Sequence, residues 1–150
     1  MSERFMTLPE IEHAAKNALP PQVWDFGAGG AETETSLQRN RQALDRLALR
    51  PRVLVDVSQM DLSTTLAGLK LAVPVALAPV GGLVLFHPQG DCEMVRGTSP
   101  SGTLAVVSGV TGWSVEEVAK EAAGPLLFQL YHFGPRSWVQ DLLGRVEASG

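Results

Sequence analysis

What most constrains this chain is a change of hydrophobic period near residue 75. From there short apolar runs at 75–78, 104–107 and 126–131 alternate with helix-patterned segments near 91–96, 114–123 and 136–148. The runs are continuously apolar, the pattern of strands covered on both faces in a parallel sheet. Each strand-plus-helix unit takes roughly 25 residues, the spacing of a barrel or a doubly wound sheet. Ser114 with Glu117 three residues on is a capping box that sets one helix start.

The first part of the chain has a different texture. Pro9 suits the first turn of a helix over 10–18, which ends at Leu19 before Pro20 and Pro21. A short helix over 22–26 runs into Gly27, Ala28, Gly29 and Gly30, which are expected to break it. Residues 32–49 have helical spacing, with Leu37, Leu44, Leu47 and Ala48 tending to one side and either Thr33 or Ser36 as the cap. Short β-branched runs follow at 53–55 and 69–73. No repeat or linker divides the chain, so residues 1–150 form one segment: helices and lead-in strands over 1–68, then βα units over 69–150.

Composition narrows the function classes. A chain of 150 residues with 45% apolar and 19% charged content can build a core. Its net charge of −4 argues against nucleic acid, which needs clustered Lys and Arg. The exception, Arg39, Arg41, Arg46, Arg50 and Arg52, is interleaved with leucines and reads as a solvated helix face. The single cysteine, Cys92, excludes an internal disulfide and suggests a reducing compartment. Residues 1–10 hold no signal-type apolar run, and the stretch 71–86 is shorter than the roughly 20 residues of a membrane span. A cytoplasmic location is the expectation. His13, His87 and His132 are far apart and lack metal-ligand spacing, so no metal site is expected. The glycines at 27–30 follow a helix pattern, not a strand, which excludes a dinucleotide loop.

Six strings carry a family resemblance. They are Leu49-Arg50-Pro51-Arg52-Val53-Leu54-Val55-Asp56-Val57-Ser58; the following Asp61, Ser63-Thr64-Thr65 and Gly68; Ala76-Leu77-Ala78-Pro79-Val80-Gly81; His87-Pro88-Gln89-Gly90; Ser114-Val115-Glu116-Glu117-Val118-Ala119; and Phe128-Gln129-Leu130-Tyr131. In their order and spacing, from about Leu19 to Gly150, the chain resembles the FMN-dependent α-hydroxy-acid oxidases and dehydrogenases, which act on glycolate, lactate or mandelate. The resemblance implies an α/β fold, the amino-terminal part of a (β/α)8 TIM barrel with about three parallel βα units. It also implies FMN as cofactor and oxidation of a small L-2-hydroxy acid to the 2-oxo acid, hydrogen passing from Cα to flavin N5. Members of the family are often tetramers, which leaves a homo-oligomer open.

The resemblance also assigns residues. Ala78, Pro79, Val80 and Gly81 match the segment along the flavin ring, where the absence of a Cβ at Gly81 permits close approach. Ser108 and Gln129 match flavin contacts. Tyr131 matches a tyrosine that stabilises substrate and transition state, and a phenol at a barrel mouth can donate to a developing charge. Gln129 and Tyr131 are expected at alternate positions of the third strand, facing the same way. Two substrate positions depart from many relatives: Phe26 lacks the hydroxyl of the usual tyrosine, and Val110 stands where some carry a large aromatic. Both point to an altered substrate pocket. Residues 94–103, with Gly97 and Pro100, should make a short or broken helix where relatives keep an alanine-rich one.

The family's histidine base, its two substrate arginines, its flavin-side lysine and its phosphate site match nothing in this sequence. Three strands do not close a barrel, so the pattern reads as the first part of a longer enzyme, inactive alone. The other readings are a non-catalytic half-barrel serving as an interaction partner or a degenerate truncated product, and a barrel enzyme for phosphorylated substrates. The string from Asp56 to Gly68 argues against the last.

Overall fold

The computed structural model describes residues 5–150, which fall into two compact units, one ending at Val57 and one spanning Ser58–Gly150. Residues 1–4, part of the stretch read as lacking a signal-type run, lie outside the described residues.

The first unit holds three helices: α1 (Leu8–Ala18), α2 (Pro21–Ala28) and α3 (Thr35–Asp45). α1 starts where Thr7 caps it, and the Glu10 carboxylate accepts from the Met6 and Thr7 amides at 2.7 and 3.3 Å. α2 carries on through Gly27 and stops at Gly29, one glycine later than the break expected. α3 is shorter than its periodicity suggests. Glu32 and Glu34 have φ of +50° and +57°, left-handed values that turn the chain before the helix, and neither Thr33 nor Ser36 is its cap. At its other end Arg46 is the C-cap, and Pro51 further on disfavours helix at Arg50. The run at 53–55 forms no strand. Leu54 has φ of +58° and Val53, Leu54 and Val55 are all exposed, since a β-branched run without a neighbour to pair with gains nothing from extension.

In the second unit β1 (Thr64–Leu66) and β2 (Leu69–Leu71) form an antiparallel hairpin. Ala67 and Gly68, at φ of +50° and +83°, make a two-residue turn of the type that matches strand twist. Sequence alone does not reveal β1, because Ala-Gly is a weak turn signal beside Asn-Gly. The main sheet is parallel, in the order β3 (Ala76–Leu77), β4 (Leu104–Ser108), β5 (Leu126–Gln129). Helices α4 (Gly90–Thr98), α5 (Val115–Glu121) and α6 (Arg136–Ala148) follow the three strands in turn. α4 ends after Gly97 and gives way to a 3-10 turn over Ser99–Ser101, as its composition predicts. Cys92 and Val95 of α4, Ala105 and Val107 of β4 and Val118 of α5 form the core, with Trp113, Leu126 and Phe128 packed against it. Among the described strands only β4 has a strand on both sides, and only β4 is nearly all buried.

Candidate active site

The register of β4 and β5 builds the first part of the site. Side chains alternate along a strand, so with Ala105 and Val107 in the helix-side core, Ser108 turns to the opposite face. By the same rule Phe128 packs with the core and Gln129 turns away from it. Ser108 pairs in register with Gln129, at the carboxyl end of both strands. The Ser108 hydroxyl donates to Gln129 Oε1 at 3.4 Å and accepts from the Val110 amide at 3.1 Å. Ser108 is almost fully buried and Gln129 partly so.

The loop after β3 supplies the second part. Ala78, Pro79, Val80 and Gly81 are all exposed. A Cβ added at Gly81 would stand 3.2 Å from Val110 Cβ and 3.5 Å from Ser108 Oγ, and the Gly82 amide donates to the Val110 carbonyl at 3.0 Å. Three separated stretches of sequence therefore meet at one mouth: 78–82, 108–110 and Gln129.

Tyr131 reaches this mouth by another route than the one expected. β5 ends at Gln129, so Tyr131 lies beyond the strand and alternation does not orient it. Its ring borders Gly109, where a Cβ would meet Cδ2 at 3.3 Å, and it stacks on Phe133 with centroids 5.0 Å apart. The phenol is half exposed. Phe26 lies on α2 in the first unit and is exposed there.

Behind the mouth lies a pair, Asp91 and the partly buried Thr111, that sequence does not reveal. Asp91 is fully buried in the first turn of α4, and its Oδ2 accepts from the Thr111 hydroxyl at 2.9 Å. No local pattern links two residues twenty apart, so only the fold reveals it. His87 Nδ1 accepts from the Gln89 amide at 3.2 Å, a loop-capping role. Burial, then the nearby Glu121 carboxylate, pushes the Cys92 thiol up, the opposite of what a nucleophile needs. Among the described residues no three His, Cys, Asp or Glu side chains gather as a metal site would require. An apolar cavity of about 300 Å³ lies on the helix side of β5, lined by Val107, Ala119, Leu126, Phe128 and Val146 among others, without an ionisable side chain. No helix among the described residues is long and apolar enough to cross a membrane.

Residues 15–150 match the family of FMN-dependent dehydrogenases. The chain belongs to that family. It is 42% identical over 141 residues to glycolate oxidase 3 of Arabidopsis thaliana, a match covering 94% of this chain and 38% of that protein. Glycolate oxidase of Spinacia oleracea is 40% identical over the same shares. Among solved structures, mandelate oxidase superposes with a TM-score of 0.89 at 36% identity, covering 97% of this chain and 44% of that one. A soluble mutant of the membrane-associated (S)-mandelate dehydrogenase from Pseudomonas putida gives 0.90 at 28% identity, over 98% and 42%. The chain thus spans about two-fifths of the length of the relatives it matches. Its fold is part of a TIM barrel, a parallel βα sheet that these residues leave open.

The family is FMN-dependent, and the mouth fits a flat, polar-edged ring. A hydroxyl and a carboxamide stand side by side at the strand ends, next to a backbone stretch where a Cβ at Gly81 would fill the space.

Proposed function

We propose that this chain forms the flavin-ring side of an enzyme that oxidises an L-2-hydroxy acid to the 2-oxo acid. The observation that carries the reading is the convergence of Gly81, Ser108 and Gln129 at the carboxyl ends of adjacent parallel strands, where barrel enzymes keep their chemistry. FMN, when bound, supplies a two-electron acceptor. The stretch Ala78–Gly81 would lie along the ring, with the Ser108 hydroxyl and the Gln129 carboxamide offering hydrogen bonds to its polar edge. Tyr131, half exposed beside Gly109, would donate its phenolic hydrogen to a substrate oxygen and stabilise charge as it develops. Val110 stands where some relatives carry a large aromatic, so the substrate would be bulkier than glycolate. The family's base, substrate arginines and phosphate-binding groups have no counterpart in this sequence, so substrate turnover would need groups from outside these 150 residues.

FMN titrated into the purified chain tests this, read by quenching of flavin fluorescence and by absorbance near roughly 450 nm. Saturable binding that Gly81→Val abolishes is expected, with no 2-oxo acid formed from glycolate or mandelate. Binding untouched by Gly81→Val would place the ring elsewhere, and turnover by the chain alone would overturn the view that it holds only one side of the site.

A further inference from the structure

The buried Asp91 stands behind the mouth without touching its open face. Its Oδ2 takes the Thr111 hydroxyl hydrogen at 2.9 Å, and the same Thr111 oxygen accepts from the Trp113 amide at 3.1 Å. Its other oxygen, Oδ1, meets no donor among the described residues and is fully buried. A carboxylate this poorly satisfied is a weak device for stability alone, because each buried unpaired acceptor carries a desolvation penalty. What the contact does achieve is to hold one loop. That loop, residues 109–113, is packed between Val84, just past the 78–82 stretch, and Gln129. At Gly112 an added Cβ would stand 2.3 Å from Val84 Cγ1, and at Gly109 it would stand 2.7 Å from the Gln129 carbonyl oxygen. Between them Val110 takes the Gly82 amide on its carbonyl and packs beside Gly81.

We infer that Asp91 is a positioning residue: through Thr111 it holds the 109–113 loop, and with it Ser108 and Val110, in the shape that receives the flavin ring. Only the last link rests on the flavin reading above. The remaining links concern the free protein and can be measured without flavin.

Hydrogen exchange on the free chain reads three amides that depend on the loop: Gly82, Val110 and Trp113. In Asp91→Ala these exchange roughly tenfold faster or more, while amides of β4 and α5 change much less. Thr111→Val, nearly isosteric, gives the same pattern if Asp91→Ala does not fold. Asp91→Asn keeps an acceptor for the Thr111 hydroxyl and restores protection. Val118→Ala, a core loss away from the loop, is the control and speeds β4 and α5 without singling out the loop. FMN titrations then show affinity falling roughly tenfold in Asp91→Ala and Thr111→Val, and much less in Asp91→Asn and Val118→Ala. Loop protection unchanged in both loop variants overturns the inference, and so does a loosened loop with undiminished flavin affinity. A parent chain that takes no FMN sinks the flavin reading and this last link with it, while the exchange pattern still decides whether Asp91 holds the loop.

Discussion

Ser114 shows how much one side chain decides at the start of a helix. Its hydroxyl accepts from the Glu117 amide at 3.3 Å and donates to Glu117 Oε2 at 2.6 Å, its own amide donates to the same oxygen at 2.9 Å, and these last two bonds, the hydroxyl's first, hold the Glu117 carboxyl below its usual range. Ser114→Ala should cost about 1 kcal/mol in a urea titration at neutral pH, with Ser114→Gly closer to the parent protein. This cap is legible in the sequence because both partners lie within four residues. The start of α3 is not. There Glu34 takes a left-handed backbone conformation and its Oε1 accepts from the Gly30 amide at 3.0 Å, a local solution that helical periodicity does not reveal.

Between elements, two arginines tie the outer helices together. Arg96 of α4 bonds Glu93 on its own helix and Glu121 of α5, and Arg145 of α6 grips Glu116 of α5 with two contacts of 2.7 and 2.9 Å. The Arg145 guanidinium holds the Glu116 carboxyl down at about 2, against an ordinary value of 4.5. A carboxyl whose pKa is lower folded than unfolded contributes stability above the unfolded value, and loses it as pH falls through the folded one. The contribution of this pair is therefore complete above about 4.5 and disappears toward about 2. Both side chains are more than a third exposed, so solvent screening keeps the effect small. Arg145→Met should flatten the dependence of melting temperature on pH across that window without removing it, because Glu117 and Glu121 are also held low by Ser114 and Arg96. Equal slopes in the two proteins would show that the clamp contributes nothing. The helices themselves could be placed from sequence, since α6 begins and ends where its pattern predicts. Their ion pairs could not, because they join residues 25 and 29 positions apart.

At the scale of the whole molecule, stability is unevenly distributed. Every buried apolar residue among the described residues, from Leu71 to Val118, belongs to the second unit. Leu104 on the central strand is 1% exposed, and Leu104→Ala should cost roughly 2–5 kcal/mol in denaturant unfolding. Leu54→Ala, at a fully exposed position, should change stability by no more than about 0.5 kcal/mol. A smaller loss at Leu104 than at Leu54 would contradict the core assigned to β4.

The sequence by itself determined the succession of βα units, the class of fold and the family. These rest on hydrophobic period, capping chemistry and strings of neighbouring residues, all of which are local in the chain. Tertiary structure alone decided which ends meet. Strand register set Ser108 beside Gln129, close approach brought Gly81 to Val110, and β5 stopped two residues short of Tyr131. It also placed the buried Asp91 under Thr111. Such contacts join positions far apart in sequence, where no periodicity or propensity acts, and they exist only once the strands have paired and the helices have closed over them.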